Sequence, residues 1–303
     1  MPDSAPTVAI VGSTASGKSS VAMAVARELG DVELVSVDSM QVYRQMDIGT
    51  AQPTSAERTE IPQHCIDLVD ATENFTVAEF KPAHAAATAD IARRGRRALL
   101  VGGTGLYHRV VIDDFDLPGE YPDVRAELER DVLTDVLYAR LVDADPVAAT
   151  KIEPENRRRI VRALEVTLGA KRPFSSFGPG VDAYRDSPVI QIGLRRPREV
   201  IAERVEERVH AMVDAGLFDE VESLAAAGFS QTAGQALGYK EILQHLHGDI
   251  DKDAAIEMII TRTRQFAVRQ DRWFRRDPRV RWVDVEHDPV AEVVPVVVEA
   301  LRR

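Results

Sequence analysis

Short apolar runs alternate with longer stretches of helical periodicity along much of the chain. Helices are predicted at residues 19–29 and 77–94, where apolar positions recur every three or four residues. Uninterrupted aliphatic and β-branched runs predict strands at residues 7–11, 32–37, 98–101, 189–194 and 281–285. Strands that alternate with helices in this way pair in parallel, so the pattern predicts an α/β fold whose parallel sheet is flanked by helices.

The pattern changes between residues 116 and 188. Helical periodicity continues at 123–133, Asp145-Pro146 is typical of a helix start, and another helix is predicted to begin near Pro154. A segment rich in Pro, Gly and Ser closes this part of the chain. We therefore predict an α/β core formed by residues 1–115 and 189–303, with an all-helical insertion at 116–188.

The composition is that of a globular protein that works in a reducing compartment. The chain has 303 residues, of which 45% are hydrophobic, and a single cysteine, Cys65, which excludes an internal disulfide. No apolar run approaches the roughly 20 residues of a bilayer span. The first residues lack the basic start and apolar stretch of a signal peptide. We expect a cytoplasmic protein that does not contact a membrane.

The net charge of −11 argues against a general polyanion binder, but basic residues are locally concentrated. Residues 151–172 contain seven Lys or Arg against three Asp or Glu, and residues 262–281 contain eight Arg against two Asp. Such clusters are typical of nucleic-acid contacts or of a solvated helix face.

A phosphate-binding motif follows the first predicted strand and begins the first predicted helix. The pattern G-x-x-x-x-G-K-[ST] is matched by Gly12, Ser13, Thr14, Ala15, Ser16, Gly17, Lys18 and Ser19. Backbone N–H groups of such a loop surround a phosphate, the lysine adds a positive charge, and the hydroxyl of Ser19 is a ligand for Mg²⁺. The motif predicts that the chain binds a di- or triphosphate, with Mg²⁺ as cofactor.

A carboxylate ends the second predicted strand. Asp38 follows the run 34–37, so it is expected at the carboxyl end of a parallel strand, where open α/β sheets bind their ligands. It could hold Mg²⁺, as in P-loop kinases, or accept a proton from a substrate as a general base. The motif alone leaves both roles open.

Several further blocks resemble one enzyme family. They occur in order along the chain: 38–44 (DSMQVYR), 46–51 (MDIGTA), 64–67 (HCID), 75–80 (FTVAEF), 101–107 (VGGTGLY), 159–166 (RIVRALEV), 235–241 (QALGYKE), and the residues Thr263-Arg264, Arg269-Gln270 and 273–275 (WFR). Together with the phosphate-binding motif they resemble the bacterial type of the tRNA dimethylallyltransferase family, also called tRNA isopentenyltransferases. The resemblance implies a P-loop NTPase-like core.

The resemblance also implies a reaction. The exocyclic amine of the adenosine immediately 3′ of the anticodon attacks dimethylallyl diphosphate, and diphosphate leaves. By this resemblance residues 12–19 and Arg208 hold the diphosphate, Asp38 accepts the amine proton, and Thr104 lies beside the acceptor base. The target base is expected to leave its stack to reach the site.

For tRNA, the resemblance implies a larger set of contacts, with the helical insertion gripping the anticodon stem. The implied tRNA-binding residues are Asp38, Ser39, Met40, Gln41, Thr104, Arg125, Arg158, Arg159, Ile160, Val161, Arg162, Gln235, Ala236, Leu237, Gly238, Tyr239 and Lys240. We expect a monomer with no obligate protein partner.

Three alternatives share parts of this pattern. A prenyltransferase acting on free AMP, ADP or ATP would use the same chemistry without needing a basic insertion. A P-loop small-molecule kinase would use the same phosphate loop with Asp38 on Mg²⁺. A nucleotide-dependent switch without catalysis would not need Asp38 at the strand end.

Overall fold

A computed structural model of the chain describes residues 7–130, 133–178 and 180–303. Its sheet has six strands in the order β3-β2-β4-β1-β5-β6, and all of the pairings between them are parallel. The strands are β1 (Val8–Gly12), β2 (Val32–Ser36), β3 (Gln63–His64), β4 (Arg97–Gly102), β5 (Ile190–Arg195) and β6 (Val280–Asp284). The predicted α/β fold with a parallel sheet is confirmed.

Some helices pack on the two faces of the sheet, and others pack with one another in a separate unit. In chain order they are α1 (Lys18–Leu29), α2 (Ser55–Glu60), α3 (Val77–Arg93), α4 (Gly105–Ile112), α5 (Pro122–Glu129), α6 (Thr134–Ala144), α7 (Pro146–Ala149), α8 (Arg157–Gly169), α9 (Arg198–Asp214), α10 (Leu217–Ala225), α11 (Tyr239–Leu246), α12 (Lys252–Arg275) and α13 (Pro289–Leu301). Among the described residues, none of these helices combines the length and apolar character that a bilayer span requires.

Strand β1 occupies the middle of the sheet because every one of its residues is apolar or glycine. Val8 and Ile10 pack into one hydrophobic core with α1 and α13, whereas Ala9 and Val11 pack into the core on the other face. Successive side chains of a strand point to opposite faces, so a strand buried on both faces is continuously apolar. The loop that follows β1 therefore emerges at the centre of the carboxyl edge.

The chain divides into two compact units. One contains the sheet and comprises the residues up to Asp113 together with Asp186–Arg303, and the other is Asp114–Arg185. The sequence placed these boundaries at 116 and 188. The second unit contains α5 to α8 and has its own core, in which Leu137, Leu141 and Leu164 are fully buried or nearly so.

Candidate functional site

The loop from Gly12 to Ser19, here called the P-loop, joins β1 to α1. Gly17 begins the helix with a left-handed φ of 102°, and a Cβ at this position would lie 2.7 Å from Pro289. Glycine is therefore required on both conformational and steric grounds. The Nζ of Lys18 donates a hydrogen bond to the carbonyl oxygen of Ser13 at 2.6 Å, which holds the ammonium against the loop.

Helix α9 packs two arginines against the P-loop. The Nε of Arg204 donates to the carbonyl oxygen of Ala15 at 2.9 Å, and Arg208 donates from Nη2 to the hydroxyl of Thr14. Within the described part of the chain, two buried polar atoms at this loop have no hydrogen-bond partner, the Nε of Arg208 and the Oγ of Ser16. A buried donor left unpaired is costly, so the arrangement fits an anionic ligand that would complete these bonds.

The side chains of Lys18 and Arg208 bring two positive charges close together in a partly buried site. Burial and the neighbouring charge of Arg208 lower the pKa of Lys18 to about 8, while Asp38 opposes this shift. Burial likewise lowers the pKa of the Arg208 guanidinium. Both shifts express the cost of holding positive charge away from water, which a bound diphosphate would offset.

Asp38 follows β2 and faces the same cavity as the P-loop. This cavity has a volume of about 600 Å³, and its lining includes Lys18, Ser19, Asp38 and Arg208. The carboxylate Oδ1 accepts a hydrogen bond from the backbone N–H of Met40 at 2.9 Å. Burial raises the pKa of Asp38, and the Met40 N–H and the charge of Lys18 oppose that rise.

The Gly102-Gly103-Thr104 segment forms the wall beside Asp38. A Cβ on Gly102 would lie 2.1 Å from the carbonyl oxygen of Val37, so the two strand ends approach too closely for any side chain there. The Oγ1 of Thr104 accepts a hydrogen bond from the backbone N–H of Ser39 at 3.1 Å. Gly102 and Gly103 line the cavity, and Thr104 follows them directly.

Gln41 is fixed in the cavity by polar contacts on both ends of its amide. Its Oε1 accepts from the hydroxyl of Ser36 at 2.7 Å, and its Nε2 donates to the carbonyl oxygens of Thr50 and Ala51 at 3.2 and 3.1 Å. A second cavity, of about 700 Å³, shares Arg208 and residues 51–53 with the first. The P-loop cavity is thus bordered by another space on the side of residues 51–53.

Several known proteins are similar to this chain over most of its length. The profile described as IPP transferase matches residues 41–277, and the profile described as isopentenyl transferase matches residues 6–73. A protein from Pseudarthrobacter chlorophenolicus named tRNA dimethylallyltransferase is 47% identical, with 92% of this chain and 93% of that protein covered. A protein of the same name from Kineococcus radiotolerans is 46% identical, with 96% of this chain and 97% of that protein covered. The chain belongs to the IPP transferase family. The resemblance found in the sequence is thereby confirmed.

Solved structures of the family share this fold. The crystal structure of a tRNA isopentenylpyrophosphate transferase from Bacillus halodurans is 37% identical with a TM-score of 0.71, and the match covers 99% of this chain and 97% of that one. A eukaryotic dimethylallyltransferase, crystallised acting on tRNA, is 28% identical with a TM-score of 0.76, with 93% of this chain and 74% of that one covered.

Within the described part of the helical unit, two of the predicted tRNA-binding arginines are exposed and form no ion pair. Arg158 and Arg159 lie in the first turn of α8, and neither forms an ion pair with any described residue. Arg162 donates to Glu165 at 2.7 Å and to the carbonyl oxygen of Pro118 at 3.0 Å, and Arg125 pairs with Glu129 at 2.9 Å. Arg158 and Arg159 are thus the better candidates for phosphate contacts.

Other predicted tRNA-binding positions have buried side chains. Ile160 and Val161 are 0% and 2% exposed because they pack in the core of the helical unit. Ala236 and Tyr239 are 4% and 0% exposed in the sheet-containing unit. In this structure the side chains of these four residues pack inward, as apolar periodicity inside a family block indicates, and their assignment to tRNA binding stays a prediction that concerns their backbone.

Tyr239 instead helps to hold the loop after Gln41. Its hydroxyl donates to Glu220 at 2.5 Å, and the same carboxylate accepts the backbone N–H groups of Asp47, Ile48 and Gly49 at 2.9, 2.7 and 3.1 Å. Gln235 is exposed, Leu237 and Lys240 are half-buried, and Gly238 is buried. The Nζ of Lys240 donates to the Oε1 of Gln235 at 2.9 Å.

The arginine cluster at 262–281 is less positive than its sequence indicates. Acidic residues from distant segments neutralise part of it: Glu241 pairs with Arg262, Glu206 with Arg264, and Asp113 with Arg279. Arg269, Arg272 and Arg276 share one exposed face of the helix, and no ion pair links them to the described residues. These three arginines, together with the exposed Arg281, are the part of the cluster that is available to a polyanion.

The donor set at the P-loop fits a magnesium ion that is held mainly by a bound diphosphate. Ser19 is exposed and lines the cavity together with Asp38. Among the described residues, no group of three or more His, Cys, Asp or Glu side chains could hold a metal. Mg²⁺ keeps several waters and takes only one or two protein oxygens when phosphates supply the rest, so the hydroxyl of Ser19 suits such an ion as a protein ligand.

Two residues of this site were not singled out from the sequence. Glu220 lies in no motif, and its role depends on contacts across more than 170 residues. Gln270 lies in one of the family blocks, and it contacts the P-loop through the backbone of Thr14. Its position in that block was the one available signal.

Proposed function

We propose that this chain transfers a dimethylallyl group from dimethylallyl diphosphate to a tRNA, at the exocyclic amine of the adenosine immediately 3′ of the anticodon. The observation that carries the proposal is a single cavity of about 600 Å³ that is lined by both the P-loop and Asp38. One part of this cavity suits a diphosphate, and the carboxylate beside it suits an amine that must lose a proton. The membership of the IPP transferase family supports the same reaction.

On the donor side, the P-loop binds the leaving group. Breaking the bond between the allylic carbon and the diphosphate oxygen leaves negative charge on that oxygen, and Lys18 and Arg208 are the cations in reach of it. Preorganised positive charge in a desolvated site stabilises this developing charge more than water does. Mg²⁺, held by Ser19 and the diphosphate, would supply further neutralisation when bound.

On the acceptor side, Asp38 takes the proton. The adenine nitrogen forms a bond to the allylic carbon as the carbon–oxygen bond breaks, and the nitrogen then carries a proton that it must lose. Because burial raises the pKa of Asp38, its carboxylate is a stronger base than an exposed aspartate. Gln41, held by three hydrogen bonds, borders the space in which the base would lie.

The helical unit favours tRNA over a free adenine nucleotide as acceptor. AMP needs no contact beyond the reaction cavity, whereas a tRNA needs positive charge outside it. Arg158 and Arg159 in the helical unit, and Arg269, Arg272 and Arg276 in the sheet-containing unit, are exposed cations that suit phosphates. The second cavity beside residues 51–53 would let the acceptor approach from a side other than the P-loop.

Replacing Arg158 and Arg159 together by Ala is expected to raise the Michaelis constant for tRNA roughly tenfold, equivalent to about 1.4 kcal/mol. The salt dependence of tRNA binding should flatten by about one unit of log–log slope for each lost phosphate contact. The Michaelis constant for dimethylallyl diphosphate should not change. Steady-state kinetics at several salt concentrations measure all three quantities.

Arg140→Ala is the matched control, since Arg140 is an exposed arginine of the same helical unit and no family block contains it. If Arg140→Ala raised the Michaelis constant for tRNA equally, Arg158 and Arg159 would act only through the net charge of the helical unit and not through specific phosphate contacts. An equal loss of donor affinity would show that the helical unit does not grip the RNA.

The position of transfer tests the proposed function itself. An anticodon stem-loop RNA with adenosine 3′ of the anticodon should accept the dimethylallyl group. The same RNA with purine riboside at that position lacks the exocyclic amine and should accept none. Nucleoside digestion and mass spectrometry identify the product. Modification of the RNA that carries purine riboside would place the reaction at another nucleotide and contradict the proposal.

A further inference from the structure

Gln270 of α12 connects the two loops on either side of the P-loop cavity. Its Oε1 accepts a hydrogen bond from the backbone N–H of Thr14 at 2.8 Å, and its Nε2 donates to the carbonyl oxygen of Gly103 at 2.9 Å. These two bonds use both ends of the amide and fix its orientation. The side chain lines the cavity and the residue is only 6% exposed.

Gln270 connects the two loops just beyond the last backbone pairing between their strands. Strands β1 and β4 are paired as far as Val11 and Gly102. Beyond that point the chain after β1 continues into the P-loop. The chain after β4 continues to Thr104, which contacts the segment after Asp38. The amide of Gln270 spans the gap between them.

The backbone at Gly103 lies too close to this amide for a side chain to fit at that position. A Cβ on Gly103 would lie 2.4 Å from the Nε2 of Gln270. Real Cβ atoms do not approach nitrogen so closely, so any side chain at position 103 would push the amide away. Glycine at this position thus has a specific steric reason, the close contact with Gln270.

We propose that Gln270 is a positioning residue that sets the distance between the donor's diphosphate and the acceptor base. The proposal rests on the proposed function. Prenyl transfer needs the amine nitrogen within about 3–3.5 Å of the allylic carbon, and a misplacement of about 1 Å costs on the order of 10²-fold in rate. The donor is fixed through the P-loop and the acceptor through the segment around Thr104, and Gln270 is bonded to both loops.

Gln270→Met tests this directly, because Met fills a similar volume but removes both hydrogen bonds. The single-turnover rate of prenyl transfer to tRNA should fall by about 10- to 10²-fold. The affinity for inorganic pyrophosphate and the Michaelis constant for tRNA should change less than about threefold. A merely structural role would instead weaken pyrophosphate binding together with the rate.

Gly103→Ala provides an independent variant that leaves Gln270 intact. Its Cβ should displace the amide and lower the rate in the same way. In the double variant with Gln270→Ala the amide is gone, so adding Gly103→Ala should cause no further loss. Gln265→Ala, at an exposed position of the same helix, is the control that should keep wild-type kinetics.

Two results would overturn the inference while leaving the proposed function intact. One is a wild-type rate for Gln270→Met, and the other is a loss of pyrophosphate affinity as large as the loss of rate. A wild-type enzyme that transfers no dimethylallyl group to tRNA would overturn the proposed function and this inference with it.

Discussion

Asp38→Asn is expected to lower the single-turnover rate of prenyl transfer by about 10²- to 10⁴-fold, the usual contribution of a general base. The amide keeps an oxygen that can accept the N–H of Met40, so the loop should retain its conformation. It cannot accept the proton that the adenine amine loses. Binding of tRNA, measured by filter retention, should remain close to that of the wild type.

The pH dependence of the same rate identifies the proton acceptor. A base must be deprotonated to act, so the rate should fall as pH drops through the pKa of Asp38. Because burial raises that pKa, the fall should occur at a higher pH than for an exposed aspartate, whose pKa is about 3.9. Asp38→Asn should lack this limb of the profile.

Asp47→Asn is the matched control, because Asp47 lies further along the same segment between β2 and α2 and its side chain is 59% exposed. It should keep both the rate and the limb of the pH profile. Parallel loss of tRNA binding and rate in Asp38→Asn would exclude Asp38 as the base and assign it to RNA binding alone.

Lys18→Met is expected to lower kcat/KM for dimethylallyl diphosphate by roughly 10²- to 10³-fold, the range observed when one donor to a developing oxyanion is removed. Lys18 is the cation of the P-loop itself in this cavity, which Arg204 and Arg208 also line, and Met preserves most of its apolar stem. Equilibrium binding of pyrophosphate should weaken, while tRNA binding should not. Lys252→Met, an exposed lysine at the start of α12, should change neither quantity.

Lys18 also predicts an alkaline limit to donor binding. Burial and Arg208 lower its pKa to about 8, so the free enzyme loses this charge as pH rises through about 8. Affinity for pyrophosphate should therefore fall above that pH, and the fall should be absent in Lys18→Met. A bound diphosphate favours the charged form, so the rate at saturating donor should hold to higher pH. Unchanged affinity between roughly pH 7 and pH 9 would contradict this role of Lys18.

The parts of the fold that the sequence predicted are those with local signals. The five strands that were predicted, and the helices beginning near Lys18 and Val77, follow from apolar runs and helical periodicity. Strand β3 was missed because Gln63–His64 is too short and too polar to show a strand pattern. The P-loop was recognised because its chemistry lies within eight consecutive residues.

The parts that could not be predicted depend on contacts between distant segments. Sequence spacing alone could not show that Glu220 holds residues 47–49, or that Glu206 and Glu241 neutralise arginines of α12. The same holds for Gln270, which is 256 residues from Thr14. Burial likewise decided which family-block residues pack in the core, as for Ile160 and Tyr239, and which face outward, as for Arg159.

The most direct test of the central claim is transfer of label from dimethylallyl diphosphate, with Mg²⁺, to either unmodified tRNA or AMP. We expect the labelled carbon in tRNA, on the adenosine 3′ of the anticodon, with one diphosphate released for each group transferred. AMP should remain unlabelled. Transfer to AMP but not to tRNA would contradict the claim and identify an adenylate prenyltransferase.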